Sequence, residues 1–176
     1  MINLELLGAG ALAKDILACF SEHINFTGVW DDALDSGSMW MDLPVRGALS
    51  EVKALDPTTH FVLALGNPAL RQQWNTYWLD KLNWATLIHP EARIFSSGRC
   101  SIGSGSILFP GAYLTSGVSV GRHCILHIHS GLHHDVQLGD CSVLMPGSKI
   151  SCTVEIPPCF KLDTNAAITS PAQLTA

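Results

Sequence analysis

The sequence predicts a small α/β domain of Rossmann-like build followed by a left-handed parallel β-helix of hexapeptide repeats. From Ile102 to Ile168 an aliphatic residue recurs at every sixth position, through Leu108, Leu114, Val120, Leu126, Leu132, Leu138, Leu144, Ile150, Ile156 and Leu162. A fixed short period is the mark of a repeat architecture. Four residues after each aliphatic stands a small or slim side chain, from Ser106, Ala112 and Val118 to Ser148, Val154 and Ala166, with Phe160 the bulky exception. Ahead of the repeat, apolar runs suited to strands alternate with helical patterns, which indicates a small parallel sheet.

Asn3 to Leu7 reads as a first strand running into Gly8-Ala9-Gly10-Ala11-Leu12-Ala13, and a helix follows to about His23. A second strand fits Phe26 to Trp30 and ends on Asp31-Asp32; a third fits His60 to Leu65 and ends on Gly66-Asn67-Pro68, with Pro68 at a helix start. The next helix, about Ala69 to Leu82, carries Leu70, Trp74, Trp78 and Leu82 at i, i+4 spacing, a core stripe more than a ligand platform. Gly8-x-Gly10-x-x-Ala13 has the spacing of the dinucleotide fingerprint, with Asp31 or Asp32 about 20 residues on, where a ribose-binding acid belongs. The segment is too short for two mononucleotide-binding halves. The pattern therefore suits one nucleotide, its phosphate facing helix amides past the glycines; a ligand-free tight turn is the alternative.

Thr86-Leu87-Ile88-His89-Pro90 leaves this domain, giving a division into residues 1–86 and 87–176. Ile88, Ile94 and Cys100 already keep period six, and the register then slips by two to Ile102, which predicts an imperfect first coil with an excursion around Ser96-Ser97-Gly98. In such a fold three hexads make one triangular coil, and coils stack at the strand spacing of about 4.8 Å. Residues 18 apart then lie above one another.

Composition narrows the function classes. Only 14% of the 176 residues are charged against 47% hydrophobic, and mean hydropathy is positive, which points to surface hidden in an oligomer. A net charge of −5 argues against nucleic acid and anionic membranes as partners, and no apolar run approaches the roughly 20 residues of a membrane span. The N-terminus reads as a strand rather than a signal peptide, so a cytoplasmic location is expected. The six cysteines form no CxxC pair and suit structural thiols, with Cys124 in a small-residue slot.

Five of the eight histidines fall between Arg122 and His134. Imidazoles suit Zn²⁺, but His127 and His133, six apart, belong to different faces of the prism. His129 and His134 have the five-residue spacing of β-helix carbonic anhydrases, yet Arg93 stands where the third ligand would be, so no metal is expected. A general base is the better use: imidazole titrates near neutrality. Stacking places His134 between Ser116 and Cys152 on a flat face, pointing into a groove between subunits.

With these residues in view, the chain resembles the bacterial sugar acetyltransferases of the NeuD/PglD-like group over nearly its whole length. The resemblance rests on the sheet domain, the Leu87-Ile88-His89-Pro90 junction, the hexads, and His133-His134-Asp135 followed by Val136-Gln137-Leu138-Gly139-Asp140. It implies an acetyl-CoA-dependent transfer to the amine or hydroxyl of a nucleotide-linked amino sugar or sialic-acid-like sugar by direct attack, with His134 as base and His133, Asp135 and His127 beside it. It further implies a homotrimer with CoA between adjacent β-helices, held by Met145, Gly147, Ser151 and Cys152. The sugar nucleotide would be held by Gly8, Gly10, Ala11, Leu12, Asp31, Asp32, Gly66 and Asn67. The chain departs from the family at Ala11-Leu12 (Gly-His there), His127 (Asn), His133 (an acid) and Cys152-Thr153 (Gly-Gly). It also ends about a coil earlier than most relatives, which implies a shorter CoA groove. Two other readings stay open: a degenerate, non-catalytic trimer that binds a sugar nucleotide or a partner enzyme, and a metal-dependent β-helix lyase.

Overall fold

The computed structural model describes residues 3–52, 58–78, 81–170 and 173. The chain forms two compact units, Met1–Ala85 and Thr86–Ala176.

The first unit is built on a five-stranded sheet. Its strands are β1 (Asn3–Leu7), β2 (Asn25–Trp30), β3 (Met39–Trp40), β4 (Leu43–Gly47) and β5 (His60–Leu63), in spatial order β3-β4-β2-β1-β5. All neighbours are parallel except β3 with β4. Helix α1 (Ala11–Phe20) follows β1 and helix α2 (Pro68–Trp78) follows β5. Four of the five β1 residues are buried, as a central parallel strand covered on both faces requires. One of them is charged: Glu5 accepts hydrogen bonds from Trp30 Nε1 at 2.6 Å and Arg46 Nε at 3.2 Å, so the buried carboxylate is paired.

Two features differ from the sequence reading. The β3–β4 hairpin was not anticipated; Met41 and Asp42 both take positive φ at its turn, as a two-residue hairpin loop requires, but Met-Asp is a weak turn signal. The buried stripe of α2 is Arg71, Asn75 and Trp78, not Leu70 and Trp74. Leu70 is 45% exposed and Trp74 half-buried. Arg71 has no exposed surface, and its guanidinium donates to the carbonyls of Leu63 and Leu65, which turns the helix by one residue relative to an all-apolar stripe. Residues 79–80 of the expected helix lie outside the described residues.

The second unit is a stack of coils whose three parallel sheets fit a left-handed β-helix. The first face holds Leu87–Ile88, Ile107–Leu108, Ile125–Leu126, Val143–Leu144 and Lys161–Leu162. The second holds Arg93–Ile94, Tyr113–Leu114, Gly131–Leu132, Lys149–Ile150 and Ala167–Ile168. The third holds Ser101–Ile102, Ser119–Val120, Gln137–Leu138 and Glu155–Ile156. Partners are 18 residues apart except where the first coil pairs with the second on the first two faces, Leu87 with Ile107 and Arg93 with Tyr113. The two extra residues are absorbed beside a 3₁₀ turn at Ser97–Arg99. Cys100 therefore holds a small-residue slot, not an aliphatic one, and its thiol donates to the Thr115 carbonyl.

The aliphatic column forms one core with the small residues between its members. The small slots are polar where a corner carbonyl needs a donor: Ser106 Oγ donates to Gly121 O and accepts from Cys124 N. Three residues after each aliphatic from Ile102 to Leu162 the backbone turns through positive φ: glycine at 105, 111, 117 and 147, and His123, His129, Asp135, Cys141, Thr153, Cys159 and Asn165 elsewhere. A left-handed conformation costs a β-branched residue most. Thr153→Gly is thus expected to raise the unfolding free energy by about 1 kcal/mol, while Thr153→Ala changes it by less than about 0.5 kcal/mol; guanidinium titration measures both.

Candidate active site

His134 stands on a corner of the β-helix, not on a flat face. The strand Gly131–Leu132 ends two residues before it and the positive φ of Asp135 follows it, so the chain bends at the histidine. The corners stack: Asp135 N donates to Ser116 O and Thr153 N to His134 O, so Ser116, His134 and Cys152 form a column, with Thr115, His133 and Ser151 beside it. His134 and Asp135 are both exposed, with Nδ1 and Oδ2 2.9 Å apart. A carboxylate only accepts, so Nδ1 is the donor in this contact, and in the neutral imidazole Nε2 is then the acceptor.

His133 turns away from this pair. Its Nε2 lies 3.1 Å from the Tyr113 hydroxyl, and the two rings meet edge to face. Burial pushes the Tyr113 phenol above its ordinary pKa, so the hydroxyl keeps its proton at neutral pH. Tyr113 reaches His133 by lying across Gly131, where a Cβ would collide with the phenol ring. This aromatic was missed in the sequence; the available signal was that Tyr113 stands 18 residues, one coil, before Gly131.

The other expected residues fall into two groups. Ser151 and Cys152, both half-buried, share the His134 corner. His127, Met145 and Gly147 lie on the preceding corner, between the first and second faces, so a single chain does not bring them to His134. His127 is 9% exposed and stacks on Phe109 at 4.9 Å. Lys149 occupies the face between the two corners, its Nζ donating to the carbonyls of His129 and Gly147. All six cysteines are free thiols, and among the described residues no three His, Cys, Asp or Glu side chains gather to hold a metal.

In the first unit, β2, β1 and β5 are parallel neighbours, so Gly8-Ala9-Gly10, Asp31-Asp32 and Gly66-Asn67 line up along their C-terminal edge. Ligands of open α/β sheets bind at that edge. Gly8 has φ +109, and a Cβ there would strike Leu65 and the Ala64 carbonyl, so the tight turn needs glycine. Gly10 caps α1 without a side-chain bond, and the first turn holds no acid, which leaves amides open to an anion. The Asp31 carboxylate is engaged by the turn itself, accepting from Ala9 N at 2.7 Å and Ala33 N at 2.9 Å. Asp32 accepts from Leu49 N, and Asn67 caps α2 by accepting from Ala69 N and Leu70 N. Ala11 is exposed, but Leu12 is 5% exposed and belongs to the buried face of α1, so its side chain does not face the edge.

No protein-family model matches the chain. GDP-perosamine N-acetyltransferase of Escherichia coli O157:H7 is 24% identical over 170 residues, 93% of this chain and 76% of that protein. UDP-N-acetylbacillosamine N-acetyltransferase of Bacillus subtilis strain 168 is 30% identical over 114 residues, 61% of this chain and 51% of that protein. Among solved structures, PerB of Caulobacter crescentus in complex with CoA and GDP-perosamine superposes with a TM-score of 0.64 at 18% identity, covering 95% of this chain and 88% of that one, a likeness of fold. The relatives are thus bacterial sugar N-acetyltransferases, the group that the hexads and the His133-His134-Asp135 motif resemble.

The raised Tyr113 value has a direct readout. In a Tyr77→Phe variant Tyr113 is the one phenol left, and its 295 nm absorbance is expected to titrate with a midpoint above the ordinary 10.

Proposed function

We propose that this homologue of the bacterial sugar acetyltransferases transfers an acetyl group from acetyl-CoA to the amine of a nucleotide-linked amino sugar, with His134 as general base. The observation that carries the reading is the His134–Asp135 pair: an exposed imidazole whose Nδ1 is held by a carboxylate 2.9 Å away, on the corner where Ser151 and Cys152 stack one coil on. The relatives' activities support the reaction class, and the CoA and GDP-perosamine bound to PerB support the two substrates.

In this reading the amine nitrogen attacks the thioester carbonyl, Nε2 of His134 takes the proton the nitrogen sheds, and the CoA sulfur leaves and is protonated. Asp135 sets the tautomer and steadies the imidazolium, the part taken in the family by the acid before the histidine. His133 stands in that acid's place and is bonded to Tyr113 instead. Ser151 and Cys152 would border the pantetheine on the His134 corner; Met145, Gly147 and His127 would contribute from the neighbouring corner of a second subunit. Their separation within one chain is what supports a homotrimer with CoA between adjacent β-helices.

The first unit, as a Rossmann-like domain of one nucleotide-binding half, would hold the nucleotide. The α1 amides behind Gly8 and Gly10 would face its phosphate, with Ala11, Asp32 and Gly66-Asn67 along the same edge. Asp31 would act through the turn it braces. Leu12 would only pack the helix, so the contact made by the family histidine at that position is not replaced by its side chain.

The test is CoA release followed with a thiol reagent, using acetyl-CoA and GDP-perosamine or UDP-N-acetylbacillosamine. His134→Ala is expected to lower kcat by about 10²- to 10⁴-fold and Asp135→Asn by about tenfold or more, with turnover insensitive to chelators. Equal rates in wild type and His134→Ala would remove the catalytic claim and favour the degenerate binding trimer.

A further inference from the structure

One coil before the His134 corner the chain bends at Gly117, with φ +70. A Cβ added there would strike Oδ1 of Asp135, the carboxylate whose Oδ2 lies 2.9 Å from His134 Nδ1. We infer that Gly117 is a positioning residue for Asp135 and, through it, for the His134 imidazole: the carboxylate lies in the space of the missing side chain. What this means for turnover rests on the transferase reading above, whereas the His134–Asp135 contact exists whether or not the chain is a transferase.

The backbone leaves the carboxylate few places to go. Asp135 N donates to the Ser116 carbonyl at 2.9 Å, so the bend at Asp135 is pinned over the Ser116–Gly117 peptide. From φ +60 at Asp135, one carboxylate oxygen lies back over Gly117 while the other meets the imidazole. A methyl group at position 117 would close the first of these places. It would meet the end of the side chain, not the backbone: the Asp135 carboxyl carbon and N would stand 3.5 and 3.7 Å away, at ordinary contact. The carboxylate can therefore turn aside without unstacking the coils. Its two oxygens turn together, so Oδ2 then leaves Nδ1.

The bend alone does not call for glycine at 117. His123, Cys141 and Thr153 make the same bend on other coils with their side chains in place. What glycine adds is room. Gly105 underlies His123, Gly111 underlies His129 and Gly147 underlies Asn165, each with a polar atom of the upper side chain where a Cβ would be. Asp135 over Gly117 differs in what it holds, because its carboxylate bonds the exposed imidazole next to it in the chain. A pair this open to water is weak. Nδ1 therefore keeps its partner only while the carboxylate has a place to rest, and Gly117 supplies it.

Ring ¹⁵N NMR reads the contact without turnover. At a pH where the imidazole is neutral, wild-type His134, assigned by its loss in His134→Gln, is expected in the Nδ1–H form. Gly117→Ala and Gly117→Asn should both shift it toward the Nε2–H form of a free imidazole; the second brings its Cβ on a residue that tolerates the left-handed region. Gly111→Ala places the same Cβ at φ +69 under the exposed His129, so it should lower stability in step and leave the His134 signals alone. In turnover of GDP-perosamine or UDP-N-acetylbacillosamine with acetyl-CoA, Gly117→Ala should lower kcat about tenfold and leave both KM values near wild type. In an Asp135→Gly background, where no carboxylate remains to displace, Gly117→Ala should cost nothing further. An Nε2–H ring in wild type, or an unchanged Nδ1–H ring in Gly117→Asn, overturns the inference. A further loss of kcat in the Asp135→Gly background also overturns it, since glycine would then serve only the bend. Absence of wild-type turnover beside the expected ring signals counts against the transferase reading and supports the positioning.

Discussion

From Ile102 to Leu162 the β-helix bends after every interior aliphatic, and each bend places one residue at positive φ three positions on. That constraint organises the rest. It forces the residue at the fourth position to be slim, because the vertex of the prism leaves little room inside, and it turns the residues at the second and third positions outward. Where glycine makes the bend the corner is bare. Where His129, Asp135 or Asn165 makes it, a polar side chain is displayed at a fixed height on the stack. The candidate site is one of these bends, with Asp135 at the strained position and His134 just before it.

The strain and the chemistry are therefore coupled through the backbone. Asp135 tolerates the left-handed region better than most residues because its short polar side chain can bond locally, and here that local bond is to the imidazole of its neighbour. An acid at this bend thus both turns the chain and holds the neighbouring imidazole. His133, whose counterpart in the family is the acid, is released to the second face, where the gap left by Gly131 lets Tyr113 reach it. The departure from the motif brings a phenol and an imidazole together on the second face, a contact that the motif alone would not suggest.

In the first unit the same interplay is visible at the glycine turn. Asp31, placed by spacing as a ribose-binding acid, spends both oxygens on backbone amides of its own edge, which makes it a brace for the turn. Leu12 packs inward as an apolar residue on a buried helix face does. Arg71 shows the reverse case: a charged side chain is drawn fully inside where it donates to the carbonyls at the end of β5 and just beyond it, and it rotates the buried stripe of α2 away from the pattern its leucine and tryptophan suggest.

Periodic features were legible in the sequence because each residue's share in them depends on spacing alone: the hexads, the two-residue slip before Ile102, the first strand and its glycine turn, and the outward His134 with Asp135 next to it. The β3–β4 hairpin was not legible, since Met41 and Asp42 take a turn conformation they do not advertise. Nor were the contacts between coils. That His134 lies at a bend, that His127 belongs to another corner, and that Tyr113 crosses Gly131 to meet His133 depend on how side chains lean over neighbours 18 or 20 residues away. Period by itself determined which residues stack; the tertiary structure decided which of them touch, because touching depends on the space that a missing side chain leaves and on the hydrogen bonds each buried or half-buried group must find.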